Sequence, residues 1–424
     1  MAPTDPLLPP AGIGIIGGGM VGASLALLLS RTLPDCPIRL FESSPLLTPE
    51  ADPAQRASWD GRSTALAPTS VELFRALGLW PQIAPFATAI ERIHVSDQGS
   101  WGLSQFNPAD NHQQPLGQVV ENAGLQPILH QALTQAPRID LIPGAQVTAL
   151  RPISGGMQLS WQSPQGEQRQ HNQLVILADG ADSPLRQALG IGVREVPYAQ
   201  TALVANVRFS LPHGGCAFER FCPDGPMALL PRGQSAQARV AGLVWTFPQD
   251  QQAAIAQLSD SELLNRLQAA FGYRLGRFEA IGQRQFYPLR LVVATEQVRS
   301  HLVLQGNAAH FLHPVAGQGF NLSLRDGLRL AQVLSEGAAL GERLGELKQL
   351  NRYAQAAQTD QNRTIALSDG FNRIFSRRER SLRWGRDMGM LLLETVPAVR
   401  AAFIRQLSGR AQPVSLPREL KADA

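Results

Sequence analysis

One glycine pattern near the amino terminus restricts the fold of this chain more than any other feature. The apolar run 12–16, GIGII, is followed by Gly17, Gly19 and Gly22 and then by helix-forming residues. In such a pattern the first glycine permits a tight turn, the second lets a pyrophosphate approach the backbone, and the third lets helix and strand pack closely. Glu42 follows at the distance typical of an acid that binds ribose hydroxyls. The pattern predicts a βαβ unit that binds a dinucleotide, either FAD or NAD.

Two later segments also run from apolar residues into a glycine turn. Residues 174–180, LVILADG, and 301–310, HLVLQGNAAH, are predicted to be strands of the same doubly wound sheet. Residues 190–290 differ, because Pro, Gly and Phe recur and alternating stretches are typical of an antiparallel sheet. We interpret them as a substrate domain. The spacing of Leu, Ala and charged residues predicts helix over 320–369 and in the tail beyond.

Composition excludes several classes of protein. Hydrophobic residues make up 44% and charged residues 17%, as in ordinary globular proteins. Cys36, Cys216 and Cys222 are an odd number without CxxC spacing, so we expect packing thiols and no metal site. No stretch reaches the roughly 20 apolar residues of a membrane-spanning helix. The amino terminus lacks the basic residues of a secretory signal, so a cytoplasmic location is expected.

The carboxyl-terminal part is more basic than the rest. Residues 371–424 hold 11 Lys and Arg against 5 Asp and Glu, within a net charge of +4 for the chain. Such a tail can contact anionic lipid or an acidic partner, whereas nucleic acid usually needs a broader basic face, so no nucleic acid is expected. The segment 388–399, MGMLLLETVPAV, is either a core helix or a membrane or partner contact. Glu394 and Pro397 argue against deep insertion.

Three separated motifs carry a resemblance to a known family. They are DGRSTAL at 60–66, LVILADGADSPLR at 174–186 and the segment 301–327 with its GQGFN sequence. In this order they resemble the flavoprotein aromatic hydroxylases typified by para-hydroxybenzoate hydroxylase. LGQVVENAGLQPIL at 116–129 and TAIERIHVSDQG at 88–99 are closer still to the ubiquinone-pathway hydroxylases, the family of 2-octaprenyl-6-methoxyphenol hydroxylase (UbiH).

The resemblance implies a set of FAD-binding residues. The glycine pattern and Glu42 would hold the ADP half, while Arg62 and Gln118 would lie along the pyrophosphate and ribityl chain. Asp179 would lie near the nucleotide, and Asn307 stands where an acid usually contacts the ribityl chain. The segment 314–321 would lie beside the isoalloxazine ring. The implied residues are Gly17, Gly19, Met20, Val21, Gly22, Glu42, Arg62, Gln118, Asp179, Gly306, Asn307, Pro314, Gly317, Gly319, Phe320 and Asn321.

No catalytic residue is assigned from the sequence. His313 and Pro314 are candidates for a place beside the flavin, but His310 and His313 are more typical of hydrogen-bonded structural histidines. Asp182 and Arg186 are either nucleotide-binding residues or a cap and ion pair on a helix. Arg62 is either a cofactor contact or a surface charge.

The predicted fold class is α/β, with a doubly wound Rossmann-like FAD-binding domain, an inserted α+β antiparallel-sheet substrate domain and a carboxyl-terminal helical region. The predicted boundaries are 11–80, 111–190 and 291–369 for the FAD-binding domain, 81–110 and 191–290 for the substrate domain, and 370–424 for the helical tail.

The resemblance implies that NAD(P)H reduces FAD and that one atom of dioxygen is transferred to a polyprenylated phenol on the way to ubiquinone or a related quinone. NADPH and NADH both stay open. Because such a substrate is insoluble, we expect a peripheral membrane contact or a place in a quinone-biosynthesis complex. The alternatives are a flavin-dependent reductase or dehydrogenase that never uses dioxygen, and a non-catalytic subunit of a biosynthetic complex.

Overall fold

The computed structural model describes residues 8–48, 62–99, 102–163, 166–312, 317–376, 380–417 and 420, without the side chains of 8–11 and 371–387. Its strands are β1 Leu8–Ile16, β2 Ile38–Glu42, β3 Ser63–Leu66, β4 Ala87–Ile90, β5 Arg92–Asp97, β6 Leu103–Phe106, β7 Gly117–Glu121, β8 Ile139–Pro143, β9 Gln146–Ile153, β10 Gly156–Ser163, β11 Gly166–Leu177, β12 Val193–Phe209, β13 Cys216–Cys222, β14 Gly225–Arg232, β15 Val240–Pro248, β16 Phe278–Ile281, β17 Gln285–Ala294, β18 Val298–Arg299, β19 Leu302–Leu304 and β20 His310–Phe311.

The helices follow the same chain order. They are α1 Met20–Thr32, α2 Pro68–Ala76, α3 Trp80–Ile83, α4 Asn122–Gln135, α5 Pro184–Ala188, α6 Gln252–Gln257, α7 Asp260–Phe271, α8 Gln318–Ala339, α9 Leu347–Ser376, α10 Arg380–Thr395 and α11 Pro397–Leu407.

A largely parallel sheet carries the glycine motif. Its order is β18-β19-β11-β1-β2-β8, and β9 and β10 extend it through antiparallel pairing with β11. β1 pairs in parallel with β2 and β11, and β11 pairs in parallel with β19. The strands predicted at 174–180 and 301–310 therefore do belong to one sheet with β1. Both end earlier than predicted, at Leu177 and Leu304, so the glycines that follow them lie in turns at the carboxyl edge of the sheet.

A second, nine-stranded sheet covers the region predicted to be antiparallel. Its order is β20-β17-β12-β15-β14-β13-β5-β6, with β16 paired to β12, and β13·β5 is its parallel pair. A smaller sheet has the order β3-β7-β4. In the chain, its strands come between strands of the two large sheets. The predicted α/β fold class is confirmed, whereas the domain boundaries stay a prediction.

The region predicted as helix over 320–369 is two helices. α8 ends at Ala339 and α9 begins at Leu347, and the connection contains Gly341 and Gly345 with φ of 71° and 82°. These left-handed conformations suit glycine and end the helical path. The apolar segment of the tail is likewise divided, because α10 ends at Thr395 and Pro397 opens α11.

The cysteines agree with the prediction of packing thiols. All three are free, and Cys216 and Cys222 are buried in the hydrophobic core beneath α7. Burial raises the pKa of Cys36 and of Cys216 to about 11 and that of Cys222 to about 12. These thiols therefore stay protonated at neutral pH. No described helix is both long and apolar enough to span a bilayer.

Candidate functional site

The glycine loop after β1 has two glycines fixed by packing and one that faces open space. A Cβ on Gly17, whose φ is 103°, would lie 2.4 Å from the carbonyl oxygen of Ala178. A Cβ on Gly22 would lie 1.9 Å from the carbonyl oxygen of Gly17. At Gly19, the N-cap of α1, a Cβ would meet no atom within 4 Å, and no side chain caps the helix. The first backbone N–H groups of α1 thus face a space where an anionic group can bind.

Glu42 and a histidine that sequence reasoning missed hold this loop in place. The Gly18 N–H donates to Oε2 of Glu42 at 2.6 Å, and the Ser44 N–H donates to Oε1 at 2.7 Å. His130 on α4 accepts from the Leu47 N–H at Nδ1, so its Nε2–H donates to the Gly18 carbonyl at 2.9 Å. No signal in a single sequence separates His130 from an ordinary helix residue. The ribose contact of Glu42 stays a prediction.

The turns after β11 and β19 lie next to the start of α1. A Cβ on Gly306 would lie 3.0 Å from Cγ1 of Val21, so this glycine permits close contact between the turn and the helix. Arg186 donates from Nη1 to the Ala308 carbonyl and from Nη2 to the Ala181 carbonyl, both at 2.8 Å. The guanidinium therefore joins two turns that are more than a hundred residues apart in the chain.

The interpretation of Asp182 and Arg186 as a cap and ion pair on a helix is wrong. Ser183 caps α5, since its hydroxyl accepts from the Arg186 N–H at 3.0 Å. Asp182 instead forms an ion pair with Arg290 of β17. Because a serine hydroxyl next to the aspartate can make the same N-cap hydrogen bond, the sequence alone could not choose between them.

Asp179 has one oxygen bound within the turn and one without a partner in the described structure. The Ser183 hydroxyl donates to Oδ2 at 2.7 Å, whereas the buried Oδ1 has no hydrogen-bond partner there. Burial raises the pKa of Asp179, and the Ser183 hydrogen bond opposes this rise. An unsatisfied oxygen at the edge of the parallel sheet is suited to accept a hydrogen bond from a ligand.

Asn321 holds the start of α8 against β3 and α2. Its Oδ1 accepts from the Ala67 N–H at 2.8 Å and from the Ser70 hydroxyl at 2.7 Å. Its Nδ2 donates to the carbonyls of Ala65 at 2.8 Å and Gly317 at 2.9 Å. These four hydrogen bonds use the amide fully, so the geometry favours a positioning role over a direct cofactor contact.

The other predicted residues of this region differ in exposure. Gly317, at the N-cap of α8, has a φ of 59°, and a Cβ there would lie 3.2 Å from the Cβ of Ala65. A Cβ on Gly319 would meet no atom within 4 Å. Phe320 is half-buried and packs against the core. His313 and Pro314 lie outside the described residues.

Arg62, Gln118 and Asn307 stay predictions as cofactor contacts. Arg62 is exposed, and its carbonyl accepts from the Asn122 N–H at 3.2 Å. Gln118 is half-buried in β7, between β3 and β4. Asn307 is exposed, and Met20 and Val21 are half-buried at the start of α1.

His310 belongs to a buried charged network that includes residues of α8 and α9. Its Nε2 lies 2.9 Å from Oδ2 of Asp326. Arg325 binds Asp360 through Nε at 2.7 Å and Nη2 at 3.1 Å, and Arg329 contacts Asp360 at 2.8 Å. Burial tends to raise the pKa of Asp360, but the two arginines together lower it. This environment supports the structural interpretation of His310.

A large apolar cavity of about 560 Å³ begins at the start of α8. One wall is formed by β3 and residues 317–321, the second by one face of the nine-stranded sheet, and the third by α10 and α11. Its lining from the sheet and the tail helices includes Ile93, Val95, Ala217, Phe218, Glu219, Phe221, Ala228, Val244, Thr246, Gly389, Met390, Leu393, Phe403 and Leu407. The volume and lining are those of a site for a largely apolar molecule.

Comparison with known proteins agrees with this arrangement. The profile of a family described as FAD binding domain matches residues 11–359. The ubiquinone hydroxylase UbiL of Rhodospirillum rubrum is 33% identical over 399 residues, which are 94% of this chain and 90% of that protein. The 3-demethoxyubiquinol 3-hydroxylase of Escherichia coli is 32% identical over 407 residues, with 94% and 99% covered. The chain belongs to the UbiH-like FAD-dependent aromatic hydroxylases.

The fold of this FAD-dependent hydroxylase also recurs among solved structures. That of p-nitrophenol 4-monooxygenase PnpA from Pseudomonas putida superposes with a TM-score of 0.75 at 17% identity, covering 95% of this chain and all of that one. At this identity the likeness concerns the fold.

The described residues fit FAD. Gly19 leaves room at the amino end of α1 for a pyrophosphate, and the Asp179 oxygen is available in the adjacent turn. The contact between Gly306 and Val21 brings the late motif to the same edge of the sheet. A dinucleotide that begins at this loop can therefore extend toward residues 317–321 and the cavity.

Proposed function

We propose that this hydroxylase oxidises the aromatic ring of a polyprenylated phenol in ubiquinone or related quinone biosynthesis, with NAD(P)H and dioxygen as co-substrates. The observation that carries the proposal is the apolar cavity, which is lined at one end by residues 317–321 and elsewhere by the sheet and the tail helices. The names of the two relatives support a quinone pathway.

When bound, FAD supplies the oxygen-transfer chemistry. The described residues bind and orient the reactants. Because the cavity is lined mainly by apolar side chains, it excludes water and holds an aromatic ring with a prenyl chain. The amino end of α8, which is held by Asn321, directs its positive dipole toward the same space. Negative charge that develops there is stabilised by this helix end.

Isotope labelling tests the proposal. The FAD-loaded protein is supplied with 2-methoxy-6-prenylphenol, NADPH or NADH, and ¹⁸O₂, and products are identified by mass spectrometry. We expect one ¹⁸O atom in the product ring and no product under argon. Turnover that persists under argon would instead support a reductase or dehydrogenase. Absence of turnover with every reductant and phenol tested, in protein that binds FAD, would support the non-catalytic subunit.

Helix α10 supports a membrane contact as the route of substrate entry. Gly389, Met390 and Leu393 of α10 line the cavity, while Met388, Leu391 and Leu392 on its other side are exposed by 46%, 38% and 45%. Residues at these spacings share one helix face. The basic balance of 371–424 adds attraction to anionic lipid. We propose that this face lies on an anionic membrane surface.

Vesicle binding tests this contact. The double substitution Leu391→Ser and Leu392→Ser is expected to lower co-sedimentation with vesicles of phosphatidylglycerol and phosphatidylcholine several-fold. Turnover of a short, water-soluble phenol should be unchanged. Leu347→Ser, at an exposed leucine of α9, is the matched control. Equal vesicle binding by the double variant and the wild type would exclude the proposed face.

A further inference from the structure

Strand β13 places one acidic side chain on the wall of the cavity. Side chains alternate along a strand, so Ala217, Glu219 and Phe221 point to one face. All three line the cavity. On the other face Cys216 and Cys222 are buried in the core with α7. Phe218 also borders the cavity, but its side chain packs in that core. The register of the strand therefore directs Glu219 into the cavity.

The neighbours of Glu219 in the sheet are apolar. Val95 of β5 and Ala228 of β14 are its register partners, and Val244 of β15 is the partner of Ala228. All of them line the same cavity. Sequence reasoning missed Glu219, because an acid in an alternating strand reads as a solvent-facing position. The sheet face here is covered by α10 and α11 instead.

The carboxyl group of Glu219 has no hydrogen bond or ion pair with any residue in the described parts of the chain. Burial raises its pKa to about 7. Among the described residues that line the cavity, Glu219 alone carries a titratable side chain, and the polar ones are Ser63, Thr64, Thr246, Gln318 and Asn321. The charged Arg220 lies on the opposite face, where it donates to Ala270.

An unpartnered acid is costly in such a place, so a structural role does not explain it. A phenol has an apolar ring that fits the cavity walls and a single O–H donor that Glu219 can accept. We propose that Glu219 binds the phenolic hydroxyl of the substrate and accepts its proton during ring oxidation. This inference rests on the proposed function and adds the residue that selects and activates the phenol.

The phenolic O–H bond breaks, its proton forms the carboxylic acid of Glu219, and the electron pair stays on the phenolic oxygen, where it raises the electron density of the ortho and para carbons. In the net reaction the phenol, dioxygen, NAD(P)H and a proton give the hydroxylated phenol, NAD(P)⁺ and water. NAD(P)H is oxidised, and one atom of dioxygen is reduced to water.

The experiment compares wild type, Glu219→Gln and the control Glu279→Gln, all loaded with FAD. Glutamine keeps the shape and a hydrogen bond but cannot accept a proton, and Glu279 is an exposed acid of β16 that pairs with Arg208. The probes are 2-methoxy-6-prenylphenol and its methyl ether, 1,2-dimethoxy-3-prenylbenzene. Binding is followed by the change in flavin absorbance, which does not require turnover.

We expect wild type to bind the phenol at least about 10-fold more tightly than the ether, and Glu219→Gln to reduce this preference to less than about 3-fold. A lost general base lowers kcat by roughly 100-fold or more. Since the base must be ionised, kcat of wild type should rise with pH through about 7. In Glu219→Gln this rise should be absent, and FAD content should match that of Glu279→Gln.

An unchanged preference for the phenol in Glu219→Gln, or an unchanged pH profile, overturns the assignment of Glu219. Absence of ¹⁸O in the wild-type product overturns the proposed function instead. Infrared difference spectra give a separate readout. The wild type minus Glu219→Gln spectrum should contain a carboxylic-acid carbonyl band that disappears as pH passes about 7. A carboxylate band already present at pH 5 contradicts the proposal.

Discussion

The glycine loop after β1 and the cavity beside β13 are built from different parts of the chain. The loop is shaped by its backbone, because Gly17 and Gly22 lie close to other backbone atoms. In the cavity, side chains on alternate positions of several strands form the wall. The loop predicted to bind the cofactor is thus a pattern that is local in sequence. The cavity that we propose for the substrate is formed by residues that only the strand register brings together.

The largest expected effect distinguishes two glycines of the loop. Gly22→Val should prevent folding of the glycine loop, because the new Cβ would lie 1.9 Å from the Gly17 carbonyl oxygen. Gly19→Val should unfold at about the same temperature as the wild-type apoprotein. It should nevertheless lose FAD, because the valine side chain enters the space for the pyrophosphate. Circular dichroism and the flavin absorbance per mole of protein measure both. Normal flavin content in folded Gly19→Val would contradict pyrophosphate binding at the glycine loop.

The next effect tests whether Asn321 positions the start of α8. Asn321→Ala removes four hydrogen bonds, two of them fully buried, and should lower the free energy of unfolding by about 3 kcal/mol. Asn307→Ala, at an exposed residue of the adjacent motif, should change it by less than about 0.5 kcal/mol. Urea unfolding of the apoproteins measures both values. Similar losses for the two variants would argue against a role of Asn321 in positioning the start of α8.

These two asparagines show what the sequence could predict and what it could not. The segment 301–327 drew attention to both, and the sequence also predicted the glycine loop and one sheet that contains β1, β2 and β11. It did not separate a residue whose amide is used by the protein from one on the surface, because that depends on contacts with Ala65 and Ala67 far away in the chain. His130 and Glu219 were missed for the same reason, whereas the Ser183 cap is a local contact that the adjacent Asp182 could equally have made.

A smaller effect is expected from filling the cavity without touching the loop. Ala228→Phe places a ring beside Glu219 on the sheet face that lines the cavity. We expect the affinity for 2-methoxy-6-prenylphenol to fall by at least about 10-fold, with FAD content unchanged. Ala228→Ser, which adds little volume, is the control. Loss of flavin from Ala228→Phe would mean that the cavity and the cofactor site are less independent than their construction indicates.

A further effect is a pH dependence of stability that belongs to the cavity wall. Burial raises the pKa of Glu219 to about 7 in the folded protein, above the value near 4.5 of a free glutamate. The folded state therefore binds this proton more tightly than the unfolded state, and the free energy of unfolding falls as pH rises from about 4.5 to about 7. Glu219→Gln removes the charge. The free energy of unfolding of Glu219→Gln, relative to that of wild type, should therefore be larger at pH 8 than at pH 4.5.

Urea unfolding of apoprotein at the two pH values measures this difference. Glu279→Gln, at an exposed acid that pairs with Arg208, is the control for the loss of one carboxylate. A pH-independent difference between Glu219→Gln and wild type would mean that the carboxylate is solvated within the cavity. In that case the acid would lie in water rather than against an apolar wall, and the contrast between a backbone cradle and a dry side-chain cavity would lose its basis.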